Sequence, residues 1–89
     1  MKITCGPEKD AINRAKHGLP LDFAKLLEWE TALVWTDDRQ DYGETRQSAL
    51  ALKDGRLYFV AFVDRANTRR VISLRKANAR EVKRYVENT

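Results

Sequence analysis

Two spacings of apolar residues alternate along the 89-residue chain. The first is helical. Ala11, Ile12 and Ala15 form a narrow apolar stripe inside a polar run that starts at Pro7. Pro7 suits the first turn of a helix, where its missing N–H is not needed. Glu8 and Asp10 put negative charge at the positive end of the helix dipole. Lys16 and His17 fall in the last turn, and Gly18 is placed to end the helix in a left-handed conformation. A second helix is predicted from about Pro20–Asp22 to Trp29 or Glu30, because Phe23, Leu26 and Leu27 recur at i, i+3 and i+4 beside Ala24.

The period then changes. Residues 31–37 (TALVWTD) are rich in strand formers, and the polar run over 37–45 reads as a loop. Residues 47–53 alternate weakly, with Leu50 and Leu52 on one side. Asp54-Gly55 is a two-residue hairpin signal. Residues 56–63 (RLYFVAFV) are almost wholly apolar and predict a central strand, and residues 69–75 (RRVISLR) predict the last one. Strict alternation in that last strand puts Arg69, Val71, Ser73 and Arg75 on one face and Arg70, Ile72, Leu74 and Lys76 on the other. Ile72 and Leu74 should face the core, so a site using both Arg70 and Arg75 requires a twist or a bulge. A final helix begins after Asn78, with Glu81 at capping-box spacing and Val82, Tyr85 and Val86 on its apolar face.

The expected layout is therefore α+β: two N-terminal helices, a meander of antiparallel strands, and a C-terminal helix. The sheet has four strands, or five if residues 2–5 add an edge strand. A chain of this length makes one domain over 1–89, which buries roughly 60–65% of its unfolded surface. The lone cysteine, Cys5, makes no internal disulfide and has no metal-ligand companions, so a reducing cytoplasm is its expected compartment. The first residues, MKITCGPEKD, have no apolar run of signal-peptide length, and no membrane span or membrane partner is expected.

Charge sharpens the picture. The net charge is +4, unevenly spread. Over residues 28–44, Glu28, Glu30, Asp37, Asp38, Asp41 and Glu44 face a single Arg39. Over residues 64–84, Arg65, Arg69, Arg70, Arg75, Lys76, Arg80, Lys83 and Arg84 face only Asp64 and Glu81. A basic block covering a strand and a helix together favours a polyanionic partner, and nucleic acid is the commonest in a cytoplasm.

Nucleotide-loop, zincin and nucleophile-elbow motifs are absent from the sequence. Asp37, Asp38, Asp41 and Glu44 have the oxygen chemistry of a Mg²⁺ site, but loop carboxylates are more often simply solvated, so neither a metal nor any other cofactor is expected. RNA cleavage without a metal needs other groups. The ribose 2′-OH must lose a proton, the pentavalent phosphate must be stabilised, and the 5′-oxygen must gain a proton. His17, the only histidine, suits the proton transfers, and arginines suit the phosphate because one guanidinium can grip two oxygens. By spacing alone His17 also reads as an ordinary helix-end histidine.

Three elements in order resemble the BrnT family of small toxins from bacterial toxin–antitoxin pairs. Lys9, Asn13, Lys16, His17 and Gly18 match K-x-x-x-N-x-x-K-H-G. Gly43, Glu44 and Arg46 match G-E-x-R. Arg70 to Ala77, with Glu81 and Tyr85, match the closing R-I-I-S-A-R-K-A…E…Y element. Leu19, Pro20, Leu21 and Ala24 follow the family's V-S-F-x-x-A loosely. Cys5 and Gly6 stand where the family carries Trp-Asp.

The resemblance implies a RelE-like fold and a ribonuclease that blocks translation. It also implies a small antitoxin partner, BrnA-like, in a complex of two toxins and two antitoxins that meets operator DNA through the antitoxin. The resulting expectation is a metal-independent endoribonuclease. His17, Glu44, Arg46, Arg70 and Arg75 carry catalysis, and Lys16, Lys76 and Arg84 hold the RNA. Glu44 either moves a proton or orients an arginine. The alternative is a non-catalytic basic module that binds nucleic acid.

Overall fold

A computed structural model describes residues 1–38 and 43–89. Its elements are β1 (Lys2–Thr4), α1 (Pro7–His17), a 3-10 helix (Leu21–Leu26), β2 (Glu28–Asp37), β3 (Arg46–Lys53), β4 (Arg56–Arg65), β5 (Thr68–Lys76) and α2 (Ala79–Glu87). The α+β layout is as expected, with two differences in detail. The five strands form one sheet in the order β1-β5-β4-β3-β2. β2 to β5 are the antiparallel meander, but β1 joins β5 in parallel, with Thr4 beside Arg70. The sheet is therefore mixed.

The second difference is the predicted second helix. It is a short 3-10 helix, and β2 already begins at Glu28. Leu21, Ala24 and Leu27 are buried while Leu26 is exposed. Burial of every third residue fits a helix with three residues per turn, which turns Leu26 outward, while half-buried Phe23 packs on the Tyr58 ring at 4.9 Å. Trp29 then turns inward. Its indole N–H donates to the Ala24 carbonyl at 2.9 Å and its ring meets Phe62 edge-on at 5.4 Å. These residues cover one face of the sheet, the helix face, where Ala49, Ala51, Tyr58, Val60, Phe62, Val71 and Leu74 complete the core.

The local signals hold where backbone chemistry dictates them. Gly18 ends α1 with φ +73°, and its N–H donates to the Arg14 carbonyl. Asp54 and Gly55 take φ of 51° and 77°, the two positive values a type I′ hairpin requires. Asn78 and Glu81 form the reciprocal capping box.

The docking of α1 departs from its apolar pattern. Ala11, Ile12 and Ala15 are exposed, and the buried residue of α1 is Asn13. Its Nδ2 donates to the carbonyls of Leu19 and Leu74, at 2.8 and 2.9 Å, and its Oδ1 accepts from the Leu74 N–H at 2.9 Å. β1 pairs only with Thr68 to Arg70. Beyond that, the Asn13 amide satisfies the β5 edge as a neighbouring strand would. So α1 runs along a strand edge rather than across a sheet face.

Candidate active site

The arrangement of basic side chains turns on one irregularity in β5. Phe62 pairs with Val71 and the preceding Ala61 pairs with Ser73, so Ile72 is an extra residue. This bulge corrects the strict alternation expected for the strand. Arg69 and Val71 join Leu74 on the helix face. Arg70, Ser73 and Arg75 lie together on the other face, called here the open face. Ile72 is only half-buried, and Val71 takes the core place that alternation gave to it.

The register orders the open face in rows. Leu33, Leu50, Phe59 and Arg75 make one row. Trp35, Ser48, Ala61 and Ser73 make the next. Asp37 beside Arg46, and Val63 beside Arg70 and then Thr4, lie at the far end. Arg70 and Arg75 oppose residues four apart on β4, which places their Cα atoms about 13 Å apart. Arg70 is exposed, and its guanidinium lies close to Gly6, where an added Cβ would be 3.3 Å from Nη2.

Arg75 is held more firmly. Its guanidinium donates to both Glu81 oxygens, at 2.8 and 2.9 Å, and lies 4.3 Å from the centre of the Phe59 ring. Burial pushes the Glu81 carboxyl up, but hydrogen bonds from Arg75 and from the Asn78 N–H outweigh it and leave the pKa below its ordinary value. α2 spans this end of the open face through three tethers: Glu81 to Arg75, Arg84 over the Trp35 ring at 3.9 Å, and the Tyr85 hydroxyl to the Thr31 carbonyl at 3.1 Å. None of its residues is buried, and Val82 and Val86 remain exposed.

The other expected residues divide. Lys16 and His17 sit at the end of α1 and line a hollow with Lys9, Ile12, Ile72 and Ser73, so they flank the bulge at the β5 edge. Glu44 lies just before β3. One of its oxygens is 3.9 Å from Arg65, and it lines a hollow with Thr4, Val63 and Arg70. Arg46 begins β3 opposite Asp37. Lys76 pairs with Tyr58 on the helix-face side, away from Arg75. Of the acidic loop, Asp41 lies outside the described residues. The Cys5 thiol donates to Asp22 at 3.7 Å, and burial followed by the Asp22 charge raises its pKa, so it is a poor nucleophile.

This geometry meets the comparison with known families. The model of the BrnT family, the ribonuclease toxin of type II toxin–antitoxin systems, matches residues 6–81. The chain belongs to the BrnT family. No curated protein matches it. Membership in BrnT brings RNA cleavage as the family activity and a protein antitoxin as the partner. No helix among the described residues is long and apolar enough to cross a membrane.

For this BrnT chain, sequence reasoning missed the part of four residues in or beside the candidate site. Glu81 reads from the sequence as a cap and as a motif position without a role, yet it holds Arg75. Asn13 stood in the BrnT motif without a role, yet it fixes the helix that carries His17. Trp35 and Phe59 were read as strand formers, yet arginines cover their rings. A capping glutamate shortly after a run of arginines was the one available signal for the first.

Proposed function

We propose that this chain is a metal-independent endoribonuclease that cleaves RNA through the ribose 2′-OH, thereby stops translation, and is neutralised in the cytoplasm by a cognate small antitoxin. The facing of Arg70 and Arg75 carries the reading. The Ile72 bulge turns both guanidinium groups to one side, with Ser73 between them and the His17 end of α1 beside the same strand segment. Two arginines spaced along one face of a rigid strand suit neighbouring phosphates of one RNA strand, because strand positions fix the direction of approach.

In the proposed reaction the 2′-oxygen attacks phosphorus and the 5′-oxygen leaves. The 2′-OH proton passes to a base on the protein, and a protein acid protonates the 5′-oxygen. The products carry a 2′,3′-cyclic phosphate and a 5′-hydroxyl. Arg75, braced by Glu81 and Phe59, stabilises the phosphorane, while Arg70 and Arg46 hold the flanking backbone. His17 moves one proton. Glu44 serves the other, or aligns Arg65 and Arg70. Lys16 and Arg84 add attraction for the strand. The antitoxin complex, of two copies each, meets operator DNA through the antitoxin.

The test is cleavage of RNA by purified protein with EDTA present, for wild type, Arg75→Ala and His17→Ala, with folding followed by circular dichroism. Wild type should yield cyclic-phosphate ends and should arrest growth when expressed without its antitoxin. Both variants should fold and lose at least about a hundredfold in rate. Folded wild type that binds RNA in a steeply salt-dependent way without cutting it would instead establish the non-catalytic binding module.

A further inference from the structure

We propose that Trp35 floors a nucleobase subsite, in which one unpaired base of the bound RNA stacks between the indole and the Arg84 guanidinium. The proposal rests on reading the open face as the RNA site and adds what that face reads besides phosphate. A cleft of about 460 Å³ opens between α2 and the sheet, lined by Trp35, Ser48, Phe59, Arg75, Asn78 and Arg84. It contains the brace of the phosphate-binding arginine, so a base held there belongs to a nucleotide next to the scissile bond.

The two tryptophans make the argument by contrast. Trp29 is locked. Its N–H is bonded to Ala24, its edge is set against Phe62, and the Arg69 over it is clamped by both oxygens of Asp64 at 2.8 and 2.9 Å. Trp35 is half-buried; among the described residues its ring meets Phe59 at a tilt, 6.2 Å between centres, and Arg84 lies over its face. No carboxylate among the described residues pairs with that Arg84, and the other two tethers of α2, Glu81 to Arg75 and Tyr85 to Thr31, do not involve it. Among the described residues, moving the Arg84 side chain outward by the thickness of a base therefore gives up its contact with the Trp35 ring and no ion pair. It replaces one cation–π contact with two stacking contacts, one to indole and one to guanidinium, both of which suit the π face of any base. Ser48, next to Trp35 in the same row, and Asn78 at the rim place polar atoms where the base edge would lie.

The experiment uses an oligomer of 2′-deoxyuridine, which has no 2′-OH and cannot be cut by this chemistry, and an abasic oligomer with the same number of phosphates. Affinities are measured for wild type, Trp35→Phe and Trp35→Leu, and the Trp35 indole N–H resonance is followed in wild type. The base-bearing oligomer should shift that resonance and the abasic one should not. Trp35→Leu should weaken only the base-bearing oligomer, by about tenfold, and Trp35→Phe should keep most of the affinity. Equal weakening of both oligomers, or an indole resonance that neither moves, overturns the proposal. If Trp35→Leu does not fold, the wild-type resonance decides. Because nothing is cleaved, failure of the ribonuclease reading leaves this result intact. A protein that cuts RNA but ignores the base overturns the subsite alone.

Discussion

One carboxylate oxygen of Glu81 accepts from two partners, the Arg75 guanidinium at 2.8 Å and the Asn78 backbone N–H at 2.9 Å, while the other accepts from Arg75 at 2.9 Å. The start of α2 and the direction of Arg75 are thus set by the same side chain. Glu81→Gln can keep the cap but loses the charged, two-pronged grip. With Arg75 free to rotate, kcat should fall by about tenfold or more while KM for RNA changes little, because the loss lies in transition-state positioning. A purely capping role for Glu81 would lower stability and leave kcat alone.

The same pair sets a pH dependence. The Glu81 pKa lies below its ordinary value of 4.5 in the folded chain. Its contribution to stability is complete above 4.5 and is lost as pH falls through the lower folded value. Urea midpoints measured downward from pH 6 should therefore drop below pH 4.5 in wild type, and Glu81→Gln should show a smaller drop. Parallel curves for the two proteins would show that the carboxylate contributes nothing.

Asn13 replaces a strand at the β5 edge, so its removal exposes the cost of that edge. Asn13→Ala leaves the Leu74 N–H and two carbonyls without their partner and should destabilise by about 3 kcal/mol in chemical denaturation. Asn13→Asp should be no better at neutral pH, because it turns the Nδ2 donor into an acceptor facing two carbonyls. It should recover in part in acid, where the carboxyl regains one donor. Equal stability of wild type and Asn13→Ala would mean that solvent satisfies the edge equally well.

How far the sequence carries depends on where the deciding force acts. The Gly18 stop, the Asp54-Gly55 hairpin and the Asn78–Glu81 cap are fixed by backbone chemistry within a few residues, and each was legible. The central strand was legible because burial on both faces needs a continuous apolar run. The second helix was misread because three-residue and four-residue spacings differ little over six residues, and packing of Leu21, Ala24 and Leu27 on the sheet decided between them. Parallel pairing of β1 links residues more than sixty apart and leaves no local trace. The bulge at Ile72 is the same kind of long-range outcome. Val71 and Leu74 both satisfy the core only if one residue between them is extra, and the facing of Arg70 follows from that alone.

The bulge gives a prediction with a sign for each direction. Deleting Ile72 leaves Val71 and Leu74 inward and Arg70, Ser73 and Arg75 outward in a regular strand, so the variant should fold and keep RNA affinity within a few-fold. Inserting one alanine after Ile72 also restores alternation with Val71 and Leu74 inward, but it slides Ser73, Leu74 and Arg75 two places along β4, so Leu74 loses its seat opposite Val60 at a cost of about 2–3 kcal/mol. Arg75 keeps its face but leaves its place beside Phe59 and the Glu81 brace, so RNA binding should weaken more than in the deletion. Thermal denaturation and RNA binding of the two variants check this. An insertion tolerated better than the deletion would refute the assignment of Ile72 as the extra residue.

Arg70 and Lys76 stand six positions apart in one basic strand segment, yet the bulge leaves them on opposite faces. A diffuse basic patch would use both charges, whereas a site on the open face uses Arg70 alone. Each phosphate neutralised on a single strand contributes about −0.7 to the slope of log K against log salt. Arg70→Ala should therefore make the slope for a non-cleavable single strand shallower by about 0.7 and weaken binding most at low salt. Lys76→Ala should leave the slope nearly unchanged, although it removes the same formal charge. Equal changes from the two variants would mean that RNA responds to the net charge of the segment and not to the face that the Ile72 bulge creates.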